Sequence, residues 1–227
     1  MSQVKEKPIL FSAPMVRAIL EGRKTVTRRA LNAQTLKNIG YGVQLGECHE
    51  LPSEGALHQN SVGYYNDFCP YGQPGDRLWV RETHADTGCR LTYRADTDDG
   101  AHCQVKKWTP AIHMFRRDSR ILLEITDVRV ERLQDISEEQ AQAEGCFLTD
   151  YGRKCGHTGS GWTEVGDCPA PEAYHPQRNG WMWDKTSSSN ECLGTATWAF
   201  ANLWQSVSGN WDANPWVWVV EFKRVTP

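Results

Sequence analysis

The strand-forming runs of this chain are scattered, with helical or irregular sequence between most of them. Arg77–Thr83 alternates apolar and polar residues, and Leu91–Ala95 is a shorter run. Arg120–Leu133 carries Ile121, Leu123, Ile125, Val128 and Val130, long enough for one bent strand or two, and Trp216–Val225 is strongly β. Pro8–Phe11 and Val26–Arg29 add two short strands near the N-terminus. Non-adjacent strands with two or three helices predict an α+β domain, barrel-like in its β part.

The helices carry their own punctuation. Ser12 is an N-cap candidate and Pro14 sits in the first turn, where proline is tolerated. Met15, Val16, Ile19 and Leu20 then form an apolar stripe to about Glu21, and Gly22 is a stop. Ser137-Glu138-Glu139-Gln140 is a capping-box pattern that starts a helix through about Glu144, closed by Gly145. Thr195–Val207 reads as a third helix with Trp198, Leu203 and Trp204 apolar. Residues from about Leu31 to Gly75 read as a long irregular excursion, and 146–194 as a second insertion with almost no period. The domain is expected to be single, spanning 1–227 with insertions at about 31–70 and 146–194. Trp79, Trp204, Trp216 and Trp218 fall on core-compatible positions. Trp181 and Trp183 lie in the second insertion, where they either cap a cleft or pin the loop.

A hydrophobic fraction of 39% and a charged fraction of 23% describe a globular chain, not a disordered one. The net charge of −3 argues against a salt-driven coater of DNA, while leaving room for a local basic site. No apolar leader follows the polar N-terminus, and no run approaches the roughly 18 apolar residues of a membrane span. The expectation is therefore a cytoplasmic protein with no membrane partner, whose eight cysteines are mostly reduced thiols.

The run Gly22-Arg23-Lys24-Thr25-Val26-Thr27-Arg28-Arg29 packs four cations and two hydroxyls into eight residues. Read locally, Arg23 and Lys24 are cations at a helix end and Thr25 and Thr27 are ordinary strand residues. Read as a site, the run grips an anionic or carbonyl-bearing ligand. Further on, Lys106, Lys107 and Trp108 precede Arg116, Arg117 and Arg120, with His113 and Phe115 between. Cations interleaved with aromatic rings suit single-stranded nucleic acid, although a solvated loop has the same composition. The second insertion holds Cys146, Cys155, His157, Cys168, His175 and Cys192, all zinc-ligand types. It contains no C-x-x-C, and only Cys155-Gly156-His157 is tightly spaced, so these read as scattered thiols and histidines with no metal expected. Cys48, His49 and Cys69 form a weaker group still.

In their order, five runs resemble the ASCH domain of the PUA-like superfamily. They are Ile19 to Thr27, Gly75 to Thr83, Leu123 to Val128, Ser137 to Ala141, and Trp216 to Phe222. Asp212 to Trp216 and Ile112 to Met114 carry a closer likeness to long ASCH proteins of bacteriophages and prophages. The resemblance implies a small β-barrel with helices beside an open cleft that takes RNA or a modified nucleoside. Some small ASCH proteins are amidohydrolases acting on N-acetylated cytidine, and others look like ribonucleases. Matched motif to motif, the amidohydrolase residues fall on Lys24, Thr27 and Glu144. A threonine hydroxyl needs a base beside it, and a lysine serves only if burial or nearby cations depress its pKa. Glu144 would then move a proton to the leaving amine or orient Lys24, and Arg29 is a candidate oxyanion donor. Arg23, Thr25, Arg28, Arg29, Arg81, Lys107, His113, Arg116 and Arg117 are the expected ligand contacts. No cofactor is expected. Binding without catalysis, ribonuclease action, and docking of a host or phage protein on the insertions stay open as alternatives.

Overall fold

The computed structural model describes residues 4–88, 90–96, 105–159, 161–166, 168–207 and 209–226. Strand β1 (Glu6–Leu10) leads into helix α1 (Ala13–Leu20), which Ser12 caps by position, without a side-chain hydrogen bond. Gly22 takes φ +76°, a left-handed turn that suits glycine, and strand β2 (Val26–Ala30) follows. Helices α2 (Ala33–Leu45) and α3 (Gln59–Asp67) come next, then β3 (Arg77–Arg81) and the hairpin β4 (His84–Asp86) and β5 (Leu91–Tyr93). The long strand β6 (Leu122–Arg132) precedes α4 (Glu138–Ala143). A second sheet is built from β7 (Phe147–Cys155), β8 (Thr163–Glu164) and β9 (Gln177–Met182). Helix α5 (Ala196–Val207) and strand β10 (Trp216–Val225) complete the order.

The main sheet has the order β1-β3-β6-β10-β2. Only β1 and β3 run parallel, and β6 pairs with β10 from Arg132↔Trp216 to Leu122↔Val225 with one irregularity at Glu221/Phe222. Four successive residues of β10, Val217 to Val220, are buried, so both faces of this strand are covered. The chain is α+β, as the scattered strands predict. The expected barrel does not close: β1 and β2 are the sheet's two edges, and among the described residues no ladder joins them.

Three local expectations need correction. The excursion after Leu31 holds two helices, α2 and α3: Asn32 accepts a hydrogen bond from Thr35 N, and Gly46 closes α2 in the left-handed region. The second insertion is a three-stranded sheet rather than irregular chain. Trp198 is exposed, whereas Leu203 and Trp204 on the same helix are buried. Trp79 and Trp218 are buried, while Trp216, Trp181 and Trp183 are partly buried against the core. The six described cysteines are free thiols; Cys89 and Cys103 lie outside the described residues. No helix among the described residues is long and apolar enough to cross a membrane.

Candidate functional site

After α1 the chain folds back on itself, because the amides of Arg23 and Lys24 both donate to Ala18 O (2.9 and 3.0 Å). Thr25 N then donates to Ala143 O (2.8 Å), which pins this turn to the end of α4. Lys24 and Glu144 thus face each other as an isolated antiparallel bridge. The capping box on Ser137 and Gln140 nucleates α4, and Gly145 ends it at φ +108°, where an added Cβ would stand 3.1 Å from Ala18 Cβ. The tight exit holds Glu144 against Lys24.

Lys24 Nζ donates to Glu144 Oε2 (2.6 Å), Glu144 O (2.9 Å) and Val26 O (2.8 Å), using all three of its protons. Both side chains are almost fully buried. Burial pushes the Lys24 pKa below the ordinary lysine range, and the Arg29 charge acts in the same direction; Glu144 opposes both. Arg28, whose side chain is fully buried, donates to Glu131 Oε2 (3.0 Å) and Gln140 Oε1 (2.9 Å) and reaches Glu144 Oε1 at 3.4 Å. Arg29 donates to Leu10 O (2.6 Å) and lies over the Phe11 ring, which Lys24 also approaches. The Nε atoms of Arg28 and Arg29 are buried without a hydrogen-bond partner.

These groups line a cavity of about 330 Å³. Its polar side includes Lys24, Thr27, Arg28, Arg29 and Glu144, with Ser12 and Thr83, and its apolar side includes Phe11, Met15, Phe200, Leu203 and Trp204. Apolar walls with a few convergent polar groups are the usual make-up of a small-molecule site. Helix α5 supplies much of the apolar wall. It is held in place by α4, since Glu138 accepts from the amides of Ala196 (2.8 Å) and Thr197 (3.2 Å). This side-chain cap at a helix N-terminus bridges two elements far apart in sequence.

The remaining expected contacts fall elsewhere. Arg23 turns away to Glu21 and Gly145 O and packs over Phe147, and Thr25 is exposed; neither lines this cavity. Arg81, His113 and Arg117 line a second cavity of about 580 Å³. The short turn Ala111–His113 stands between the two cavities, with Ala111 on the first and His113 on the second. Arg116 pairs with Glu6 (2.7 Å), and Lys107 is exposed outside both linings. Near the second cavity, Arg120 bonds Glu82 and Asp96 bidentately and lies over the Tyr93 ring. Burial raises the pKa of Glu82.

Residues beyond the expected set complete the first site. Gln140 and Glu131 orient Arg28, while Phe11, Phe200 and Trp204 shape the wall. Of the zinc-ligand types, Cys155, His157 and Cys168 come together in the second sheet, away from the cavity. Cys48 is buried and bonds Ile39 O, and His49 stacks on His58. Compared with known proteins, the chain matches no family model and finds no significant match among curated proteins or solved structures.

Proposed function

We propose that this chain is an ASCH-type, PUA-like protein whose first cavity takes a modified nucleoside and hydrolyses the amide of an N-acylated cytidine. The observation that carries this reading is the buried Lys24–Glu144 pair in the wall of a cavity that Thr27 also lines. The five runs behind the resemblance fall on α1 and β2, β3, β6, α4 and β10, the elements that surround this cavity or support it.

In this reading Lys24 first gives up one of its three protons, and the neutral amine then takes the Thr27 hydroxyl proton as Oγ bonds to the acyl carbon. The carbonyl π electrons move to oxygen, where Arg29 is the candidate donor. Collapse of the intermediate breaks the C–N bond, and the cytosine amine leaves with a proton returned by way of Glu144. Water then hydrolyses the acyl-threonine and releases the carboxylic acid. Desolvation at Lys24 favours its neutral form, as a base requires.

The test is turnover of N-acetylcytidine followed by chromatography. Wild type should release cytidine, and Thr27→Ala and Lys24→Ala should each lower the rate at least about a hundredfold, the lower end of general-base contributions. Substrate binding should survive in Thr27→Ala. Absence of turnover by wild type overturns the hydrolase reading.

A second reading, binding of single-stranded RNA without catalysis, is favoured by the second cavity, where Arg81, His113 and Arg117 stand one short turn from the first. It predicts salt-dependent RNA affinity that falls in Arg117→Ala.

A further inference from the structure

The second sheet has almost no apolar interior at its tip. Between Phe147 and Asn179, the only buried side chains among the described residues are Cys155 and His175. A thiol and an imidazole are a poor substitute for a core, and small units lacking one are commonly stapled by disulfides or metals.

The sulfur and nitrogen atoms gather where such a staple would sit. Cys155 Sγ lies 2.8 Å from His157 Nδ1 and 3.4 Å from Cys168 Sγ, and Cys168 Sγ lies 3.2 Å from His157 Nδ1. Both cysteines are free, and 3.4 Å is far beyond the roughly 2.05 Å of a disulfide. The strand register supplies a fourth group. Arg153 pairs with Gln177, Lys154 N donates to Pro176 O (3.3 Å) and Gly156 N donates to Tyr174 O (3.0 Å). Cys155 and His175 are therefore directly opposed, which places their side chains on one face. His175 is buried and its Nε2 has no hydrogen-bond partner, although only Cys155, His157 and Cys168 have their ligand atoms within 4.8 Å of one another, so the His175 ring has to swing in to complete the set.

We propose that Cys155, His157, Cys168 and His175 form a tetrahedral zinc site that staples the tip of the second sheet. Two thiolates and two imidazoles match the charge and softness of zinc. With bonds of about 2.3 Å to sulfur and 2.1 Å to nitrogen, a tetrahedron has edges of about 3.4–3.8 Å. The three observed separations reach those values with openings of under about 1 Å. Four protein ligands leave no open position, so the site is structural. It belongs to the second sheet and does not depend on the chemistry of the first cavity.

Metal analysis of the purified full chain tests this. About one zinc per chain should survive desalting, and Cys168→Ser and His175→Ala should each retain at least tenfold less after mild chelation. Cys192→Ser should keep the full amount. Should a ligand variant fail to fold, the wild type still decides. Stripped of metal and titrated with Co²⁺, it should develop thiolate-to-cobalt charge-transfer absorption together with tetrahedral d–d bands. Wild type with neither stoichiometric zinc nor these bands overturns the proposal. So does a Cys155–Cys168 disulfide seen as the loss of two hydrogens in the intact mass, or zinc retention unchanged in every ligand variant.

Discussion

Lys24 is a lysine whose three protons are all taken by oxygen acceptors, in a place where water is nearly excluded. A base acts when deprotonated and burial depresses the Lys24 pKa, so the rising limb of a pH–rate profile should lie below the ordinary lysine range near about 10.4. Glu144 is the main group raising that pKa. Glu144→Gln should therefore move the limb to still lower pH, whatever it does to the maximal rate. A profile that shifts upward, or does not shift, would show that Lys24 is not the titrating base. This pair was legible only through motif resemblance. The two residues are 120 positions apart, and no local periodicity links a turn after one helix to the C-terminal end of another. Lys24, Thr27, Arg28 and Arg29 stood out as a dense charged run. Gln140 did not, because its carbonyl oxygen serves both the capping box and Arg28, and the sequence shows only the first role.

At the scale of elements, α4 organises the site from both of its ends. Its first residue caps α5, and the residue after its last turn meets Lys24. Glu138→Ala should cost about 1–2 kcal/mol in urea unfolding through the lost cap. It should also weaken nucleoside binding, because Phe200, Leu203 and Trp204 ride on the helix it anchors. Loss of stability with no change in binding would mean that α5 is held by packing alone. The capping box and the Gly22 and Gly145 stops were readable because each is a short-range device. Helices α2 and α3 were missed because few large apolar side chains mark a face: in α2 only Thr35, Ile39 and Gly42 are buried. The caps at Asn32 and Gly46 were present in the sequence and were the better signal. The second sheet was missed for a related reason, since Cys155, His175 and Gly180 fill its buried positions instead of alternating apolar residues.

At the scale of the molecule, carboxylates tie distant parts together and set its response to acid. The Arg116 guanidinium holds Glu6 below the usual carboxylate range, and the Lys5 amide does the same for Asp76. Glu124 is lowered by Lys223, and Glu138 by hydrogen bonds from Thr197 and its neighbours. Each group binds its proton more readily in the unfolded chain. Their contribution is therefore complete above the ordinary carboxylate pKa and is lost as pH falls through the lowered values. Glu82 is raised by burial and works in the opposite direction, but Glu139 and Glu191 are lowered as well, so it is one group against six. The melting temperature should consequently fall as pH drops from about 5 towards 3. A flat profile would mean that these pairs persist in the unfolded state. The α+β class was legible at this scale, from strands mostly separated by helical or irregular sequence; the failure to close was not, because closure depends on how two sheet edges approach in space. At that unclosed seam a single arginine reaches a single carbonyl, Arg29 to Leu10, where a ladder would otherwise run. Leu10 and Arg29 both line the first cavity, so at this corner its wall is a side-chain bond and not a strand ladder.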